Sequence, residues 1–111
     1  MNDTPELTQD DAESALNFLA GTDEQYGKLQ TQVKATLFLA DQTRYNIFLS
    51  SEGKNIEERK AKSVIDQVYT DRMRDHYKAE KDMRILQAER KTAELKIDLW
   101  RSINAARRAG G

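Results

Sequence analysis

Residue types that interrupt or crosslink a fold are scarce in this chain of 111 residues. It has no cysteine, a single proline at Pro5 and a single histidine, His76. Without cysteine, the chain can form no disulfide and has no thiolate that could react or bind a metal. Because proline breaks helices, its absence after Pro5 leaves the rest of the chain free to form long ones.

Long apolar segments are absent as well. No run approaches the roughly 18 residues that a membrane span needs, and the acidic N-terminus is the opposite of a secretory signal. We therefore expect a soluble, cytoplasmic protein with no membrane partner.

Charged residues make up 33% of the chain and hydrophobic residues 38%. This balance is typical of an elongated helical protein rather than a compact globule. Because a thin helical layer buries little surface per residue, a lone monomer would be marginally stable. The composition therefore favours a homo-oligomer or a protein partner.

The charges are unevenly distributed, although the net charge is only −1. Residues 1–24 carry seven acids and no base, whereas residues 90–111 carry six bases and two acids. Such asymmetry can mark an end that binds nucleic acid. Alternatively, the two ends lie side by side and neutralise each other.

The helix signals predict four segments in one domain spanning residues 1–111. Thr8 is the expected N-cap of the first helix, and Gly21 is expected to end it. Thr22 then opens a capping box for the second helix, and Ser63 opens one for the last. The predicted helices cover 8–20, 22–51, 55–62 and 64–108, with 1–7 and 109–111 expected to be flexible.

The last helix carries a heptad stripe with alternating steps of four and three residues. Its members are Ala79, Met83, Leu86, Arg90, Ala93, Ile97, Trp100 and Asn104. On the second helix, Leu29 and Val33 belong to the facing stripe. We predict an all-α fold, a long antiparallel, coiled-coil-like helical hairpin. Its first arm is bent at Gly21, and a short connector helix lies at the turn.

No catalytic constellation emerges from the sequence. A metal site at His76 would need companions such as Asp71, Asp75 and Glu80, but charged residues at helical spacing are typical of a solvated face. No glycine-rich loop precedes a helix as a phosphate cradle would. We therefore expect no enzyme activity, no metal and no cofactor.

Two sets of residues are candidates for contacts with partners. The cations expected to touch nucleic acid or an acidic protein are Arg101, Arg107, Arg108, Lys60 and Lys62. Aromatic and methionine residues exceed what a two-helix seam needs, which suggests an oligomer interface. They are Tyr45, Phe48, Tyr69, Met73 and Tyr77, unless the connector helix folds over them. Trp100 could stack on a base, but its seam position favours packing.

The segment "AERKTAELKIDLWRSINAARR", residues 88–108, carries a recognisable pattern. Its Trp100-Arg101-Ser102 run, followed by Asn-Ala and an Arg-Arg ending, resembles small helical proteins of bacteriophages and prophages. Genes for such proteins often lie near recombination and single-strand-binding genes. The resemblance implies a phage accessory protein in the cytoplasm of a host bacterial cell.

Three functions are compatible with these features. The first is a non-enzymatic phage accessory protein that assists DNA recombination or replication through protein contacts and weak, sequence-independent DNA binding. The second is a phage inhibitor that uses its acidic N-terminal arm against a host nucleic-acid enzyme or defence complex. The third is a purely structural coiled-coil adaptor.

Overall fold

The computed structural model describes residues 6–51 and 55–110, which form three α-helices. Helix α1 spans Gln9–Ser50, α2 spans Ile56–Ile65 and α3 spans Gln67–Gly110. Within each of the chain's two compact units, α1 packs antiparallel against α3, and α2 is the short connector helix. The predicted all-α hairpin is confirmed.

The chain divides into two compact units. Unit 1 combines the N-terminal part of the chain up to Tyr26 with the residues from Ile85 onward, and unit 2 comprises Gly27–Arg84. In unit 1, Ala15, Ala93 and Ile97 form a buried cluster, against which Phe18 and Leu19 pack. In unit 2, the most buried hydrophobic residues are Ala40 and Ala79.

Helix α1 begins with the cap that the sequence predicts. The main-chain N–H of Thr8 donates to Asp11 Oδ2 at 2.8 Å, and the N–H of Asp11 donates to Thr8 Oγ1 at 3.2 Å. This reciprocal arrangement satisfies donors that the first helical turn would otherwise leave unpaired. Thr8 is therefore confirmed as the N-cap.

The predicted helix break at Gly21 is wrong. Helix α1 runs without interruption from Gln9 to Ser50, and no glycine in the described ranges has a positive φ. The Thr22 hydroxyl, expected to cap a second helix, instead donates back to the Phe18 carbonyl at 2.7 Å. This bond is typical of a threonine inside a helix.

Helix α1 continues through Gly21 because a stripe of buried and half-buried residues keeps the same spacing on both sides of it. Residues spaced alternately three and four apart are all buried or half-buried, whereas Gly21 is exposed on another side. The stripe consists of Ala12, Ala15, Leu19, Thr22, Tyr26, Leu29, Val33, Thr36, Ala40, Thr43 and Ile47. A helical glycine costs only about 1 kcal/mol relative to alanine, which is small beside the burial that a helix break would lose.

The stripe predicted on α3 is confirmed at every position. Leu86, Ala93 and Ile97 are buried, and Arg90 and Trp100 are half-buried. The spacing continues toward the N-terminus of α3 through His76 and Arg72. The stripes of α1 and α3 are called the seam below.

Two predicted boundaries near the turn need correction. The Ser63 hydroxyl donates to the Lys60 carbonyl within α2, so Ser63 does not cap α3. Helix α2 continues to Ile65, and α3 begins at Gln67, where Asp66 Oδ1 accepts from the Val68 N–H at 2.8 Å. Asn55 caps α2 by accepting from the N–H of Glu58.

The predicted flexible ends fall partly outside the described residues, which exclude 1–5 and 111. At the other end, α3 continues through Gly110, two residues beyond the predicted helix end at residue 108. Its last turn carries Arg107 and Arg108, whose charges favour a helix C-terminus.

Replacing Gly21 tests the continuity of α1. A Cβ at Gly21 meets no heavy atom within 4 Å. We expect Gly21→Ala to raise the free energy of unfolding by about 0.5–1 kcal/mol, because alanine favours a helix interior. Urea unfolding followed by circular dichroism measures the change. Gly27→Ala, equally unobstructed, is the matched control and should behave alike; destabilisation by Gly21→Ala alone would contradict a continuous helix.

Candidate functional site

Arg90 forms the most connected polar cluster of unit 1. Its side chain is 15% exposed. Nη1 donates to the Leu19 carbonyl at 2.9 Å and to the Thr22 hydroxyl at 2.7 Å. Nη2 donates to Asp23 Oδ1 at 2.6 Å. The guanidinium carbon also lies 5.0 Å from the centre of the Tyr26 ring, within cation–π range.

This cluster explains a charge at a seam position. A buried charge is costly unless it is paired and hydrogen-bonded, and Arg90 meets both conditions. The planar fork of arginine reaches several acceptors at once, which a lysine ammonium does not match. The cluster therefore stabilises one register of the two helices in unit 1.

The opposite charges of the two ends pair within unit 1, as the second interpretation of the asymmetry predicts. Arg107 forms an ion pair with Glu6, and Arg90 forms one with Asp23. The positive charge of Lys96 also acts on Asp11. Two arginines of the basic end are thus paired with acids of the acidic end inside unit 1.

The predicted cationic contact residues occur in both units, with Arg101, Arg107 and Arg108 in unit 1 and Lys60 and Lys62 in unit 2. Arg101 lines a shallow groove of unit 1 with Trp100 and Glu13, while Arg108 is exposed. In unit 2, Lys62 Nζ lies 3.7 Å from Glu58 Oε1. Because Arg101 and Arg108 are seven positions apart on α3, they lie on the same face of that helix, and both are exposed.

Trp100 is half-buried on the seam of unit 1. Ala12 and Leu16 of α1 line the same groove as the Trp100 ring, together with Ile97 of α3. This position agrees with the packing role that the heptad spacing predicts.

Unit 2 contains an open groove of about 650 Å³ between α1 and α2. It is lined by Asp41, Arg44, Tyr45, Phe48, Lys60 and Ser63. We call it the aromatic groove. Tyr45 is 61% exposed, whereas Phe48 is half-buried. Helix α2 therefore covers part of the predicted aromatic surface and leaves the tyrosine ring accessible.

The groove unites residues that the sequence placed in different sets. Lys60 was predicted as a cationic contact, and Tyr45 and Phe48 as an oligomer interface. Asp41 and Arg44 were missed, although each precedes an aromatic groove residue by four positions and therefore shares its helix face.

The other predicted interface residues form a second surface of unit 2. Tyr69, Met73 and Tyr77 line an open depression with Thr70 and Arg74. Tyr77 is 61% exposed. The predicted interface thus divides into two surfaces, and its role in self-association stays a prediction.

His76 is a buried seam residue of unit 2 and is 5% exposed. Its Nδ1 lies 3.1 Å from Thr36 Oγ1 and 3.2 Å from the Val33 carbonyl. Because the Thr36 hydroxyl donates to the Gln32 carbonyl at 2.8 Å, the proton between threonine and histidine belongs to Nδ1. The Nε2 atom faces Glu80 at 3.8 Å. These contacts give His76 a packing role in the seam.

Within the part of the chain that the structure describes, no group of three or more histidine, cysteine or acidic residues could hold a metal ion. No helix in those same ranges is both long and apolar enough to cross a membrane.

Substitution of Arg90 tests how much its polar cluster contributes to stability. We expect Arg90→Lys to lower the free energy of unfolding by about 1–2 kcal/mol, because hydrogen bonds of the fork are lost. Arg84→Lys is the matched control: Arg84 lies on the same helix with its side chain 70% exposed and pairs with Glu80. We expect a change below about 0.5 kcal/mol for it. Equal changes in urea unfolding would rule out a special role for Arg90.

Acid titration tests the cap of α1. The Thr8 N–H and hydroxyl hold the pKa of Asp11 below its ordinary value of 3.8, and Lys96 adds to the effect. Because the folded pKa is the lower one, this stabilisation is complete above the unfolded pKa and is lost as pH falls through the folded pKa. We expect Asp11→Ala to reduce stability at neutral pH and to reduce the stability lost on acidification. If stability falls with pH in the same way for the unchanged protein and for Asp11→Ala, the lowered pKa of Asp11 is not what stabilises the cap.

No protein-family model matches the chain, and neither a curated protein nor a solved structure shows significant similarity to it. A function for this chain therefore has to come from its own residues and geometry.

Proposed function

We propose that the protein is a non-enzymatic accessory protein of the bacterial cytoplasm that assists DNA recombination or replication through protein contacts. Its contact surface is the aromatic groove of unit 2, and its ligand is an acidic peptide segment carrying an aromatic or aliphatic side chain. The observation that carries this proposal is an accessible tyrosine ring beside two cations.

The chemistry of the groove supports such a ligand. Tyr45 and Phe48 supply an apolar floor, and a ring held by a helix gives contact area at little entropic cost. Arg44 and Lys60 exceed the single acid, Asp41, so the lining carries a net positive charge. A peptide carboxylate can pair with these cations while a neighbouring apolar side chain contacts the rings.

DNA contact is the weaker part of this proposal. Arg107 pairs with Glu6, and Lys62 lies near Glu58. Each such pair removes a charge from phosphate binding, which depends on the number of phosphates neutralised. Arg101 and Arg108 are exposed and could support weak, sequence-independent binding.

The biological process rests on the resemblance of residues 88–108 to phage proteins. For the alternative of an inhibitor with an acidic arm, the pairing of Glu6 and Asp23 with arginines is unfavourable. Acids used inside the hairpin are less available as a nucleic-acid mimic. A purely structural adaptor would leave the accessible groove without a role.

Fluorescence anisotropy with a labelled peptide of several aspartates and one phenylalanine tests the groove. We expect Tyr45→Ala and Lys60→Glu each to weaken binding at least about tenfold, since a buried contact of 1.4 kcal/mol corresponds to that factor. Tyr77→Ala is the matched control, because Tyr77 and Tyr45 are both 61% exposed. Lys78→Glu controls for the charge change.

Two results would contradict the proposal. One is a peptide affinity that the groove variants leave unchanged. The other is tight binding of single- or double-stranded DNA, at both low and moderate salt, without binding of the acidic peptide. Weak DNA binding that disappears at moderate salt agrees with the proposal.

A further inference from the structure

Helix α3 carries a second stripe in unit 1, on the side opposite its seam. We call it the outer stripe; it consists of Ile85, Ala88, Thr92, Leu95, Leu99 and Ser102. Its steps alternate between three and four residues, as in the seam, but its members are exposed. Ile85 is 50% exposed, Leu95 55% and Leu99 54%. Such spacing of apolar residues is what a helix presents to another helix.

The outer stripe is bordered by charges of both signs. Lys91 and Asp98 lie along one edge, and Glu89 and Lys96 lie along the other. Lys91 forms an exposed ion pair with Glu94 at 3.9 Å on its own helix. The order of charges on one edge is positive then negative, and on the other edge it is negative then positive.

We infer that the outer stripe binds the same stripe of a second copy of this chain, with the two α3 helices antiparallel. The twofold axis passes between Thr92 and Leu95. Thr92 then faces Leu95 of the second copy, and by symmetry the reverse contact is also made. This dimer face goes beyond the peptide groove and does not depend on it.

The side chains are complementary in this register. Ala88 lies opposite Leu99 of the second copy, and Ile85 lies opposite its Ser102. Every layer therefore combines one large apolar residue with one small residue, which allows the helices to approach closely. Because the seam occupies the opposite side of α3, the second copy leaves the seam contacts of Arg90, Ala93 and Ile97 in place, although Thr92 and Lys96 also line a groove with Phe18 of α1.

The bordering charges are complementary in the same register. Along the helix axis, Lys91 and Asp98 of the second copy are separated by the rise of two residues, about 3 Å. Glu89 has the same relation to Lys96 of the second copy. The twofold axis repeats both pairs, so opposite charges meet along both edges.

Other registers bring like charges together. A shift of one heptad in one direction places Lys91 against Lys91 and Glu89 against Glu89. A shift in the other direction places Asp98 against Asp98. A parallel arrangement places Lys91 against Lys96. Repulsion along the edges therefore selects one antiparallel register, as it does in coiled coils.

Sedimentation equilibrium of the full chain tests this face. We expect a reversible dimer that Leu95→Glu weakens at least about tenfold, because the change places a carboxylate in both central layers. Leu49→Glu is the matched control, since Leu49 is 57% exposed on α1, and it should leave dimerisation unchanged. A chain that stays monomeric at all concentrations, or a dimer insensitive to Leu95→Glu, overturns the inference.

Charge exchange separates a direct contact from misfolding. We expect Lys91→Glu to weaken the dimer at least about tenfold, and the added change Asp98→Lys to restore it by reversing both partners. Lys34→Glu on α1 controls for net charge. Failure of Asp98→Lys to restore the dimer overturns the pairing.

Engineered thiols test the orientation, because the chain has no cysteine of its own. Ala88→Cys and Leu99→Cys are prepared separately, mixed and oxidised. The antiparallel register predicts a crosslink between the two different variants. Crosslinks formed mainly between identical variants would indicate a parallel dimer and overturn the inference.

Discussion

The hairpin depends on one constraint: small and apolar residues must recur alternately three and four positions apart on both long helices. This spacing keeps one side of each helix facing its partner over many turns. The burial of residues at this spacing then outweighs residue types that locally favour a helix end. Gly21 and Thr22 together have the composition of a helix end, yet Thr22 is a seam member in phase with Leu19 and Tyr26. The packing of the stripe therefore favours a continuous helix.

Polar members of the seam add specificity to this packing. Arg90 bonds to a carbonyl, a hydroxyl and a carboxylate, and His76 bonds to Thr36 and to the Val33 carbonyl. An apolar layer tolerates a shifted register more readily than these groups do, since a shift would leave them buried without partners. The same arrangement pairs Asp23 of α1, and Glu6 just before it, with arginines of α3. Part of the charge that resembles a nucleic-acid site in the sequence, such as that of Arg107, is therefore structural.

The surfaces left for partners lie outside the seam. In unit 2, the aromatic groove brings Tyr45 together with Lys60, which is fifteen positions further along the chain. In unit 1, the outer stripe presents Leu95 and Leu99 away from the seam. One surface combines rings with positive charge, and the other combines aliphatic side chains with alternating charge. They therefore suit different partners, an acidic peptide and a second copy of the chain.

Heptad spacing, the absence of proline and the Thr8 cap were sufficient to predict the all-α hairpin and the seam of α3. Each of these features acts within the helix in which it lies, so the spacing of residues along the chain is enough to reveal it. The continuity of α1 at Gly21 and the shared position of Lys60 and Tyr45 were not predictable in this way. The first depends on burial against a distant helix that compensates for a weak local preference. The second depends on how α2 folds back onto α1, because that packing determines which exposed side chains become neighbours.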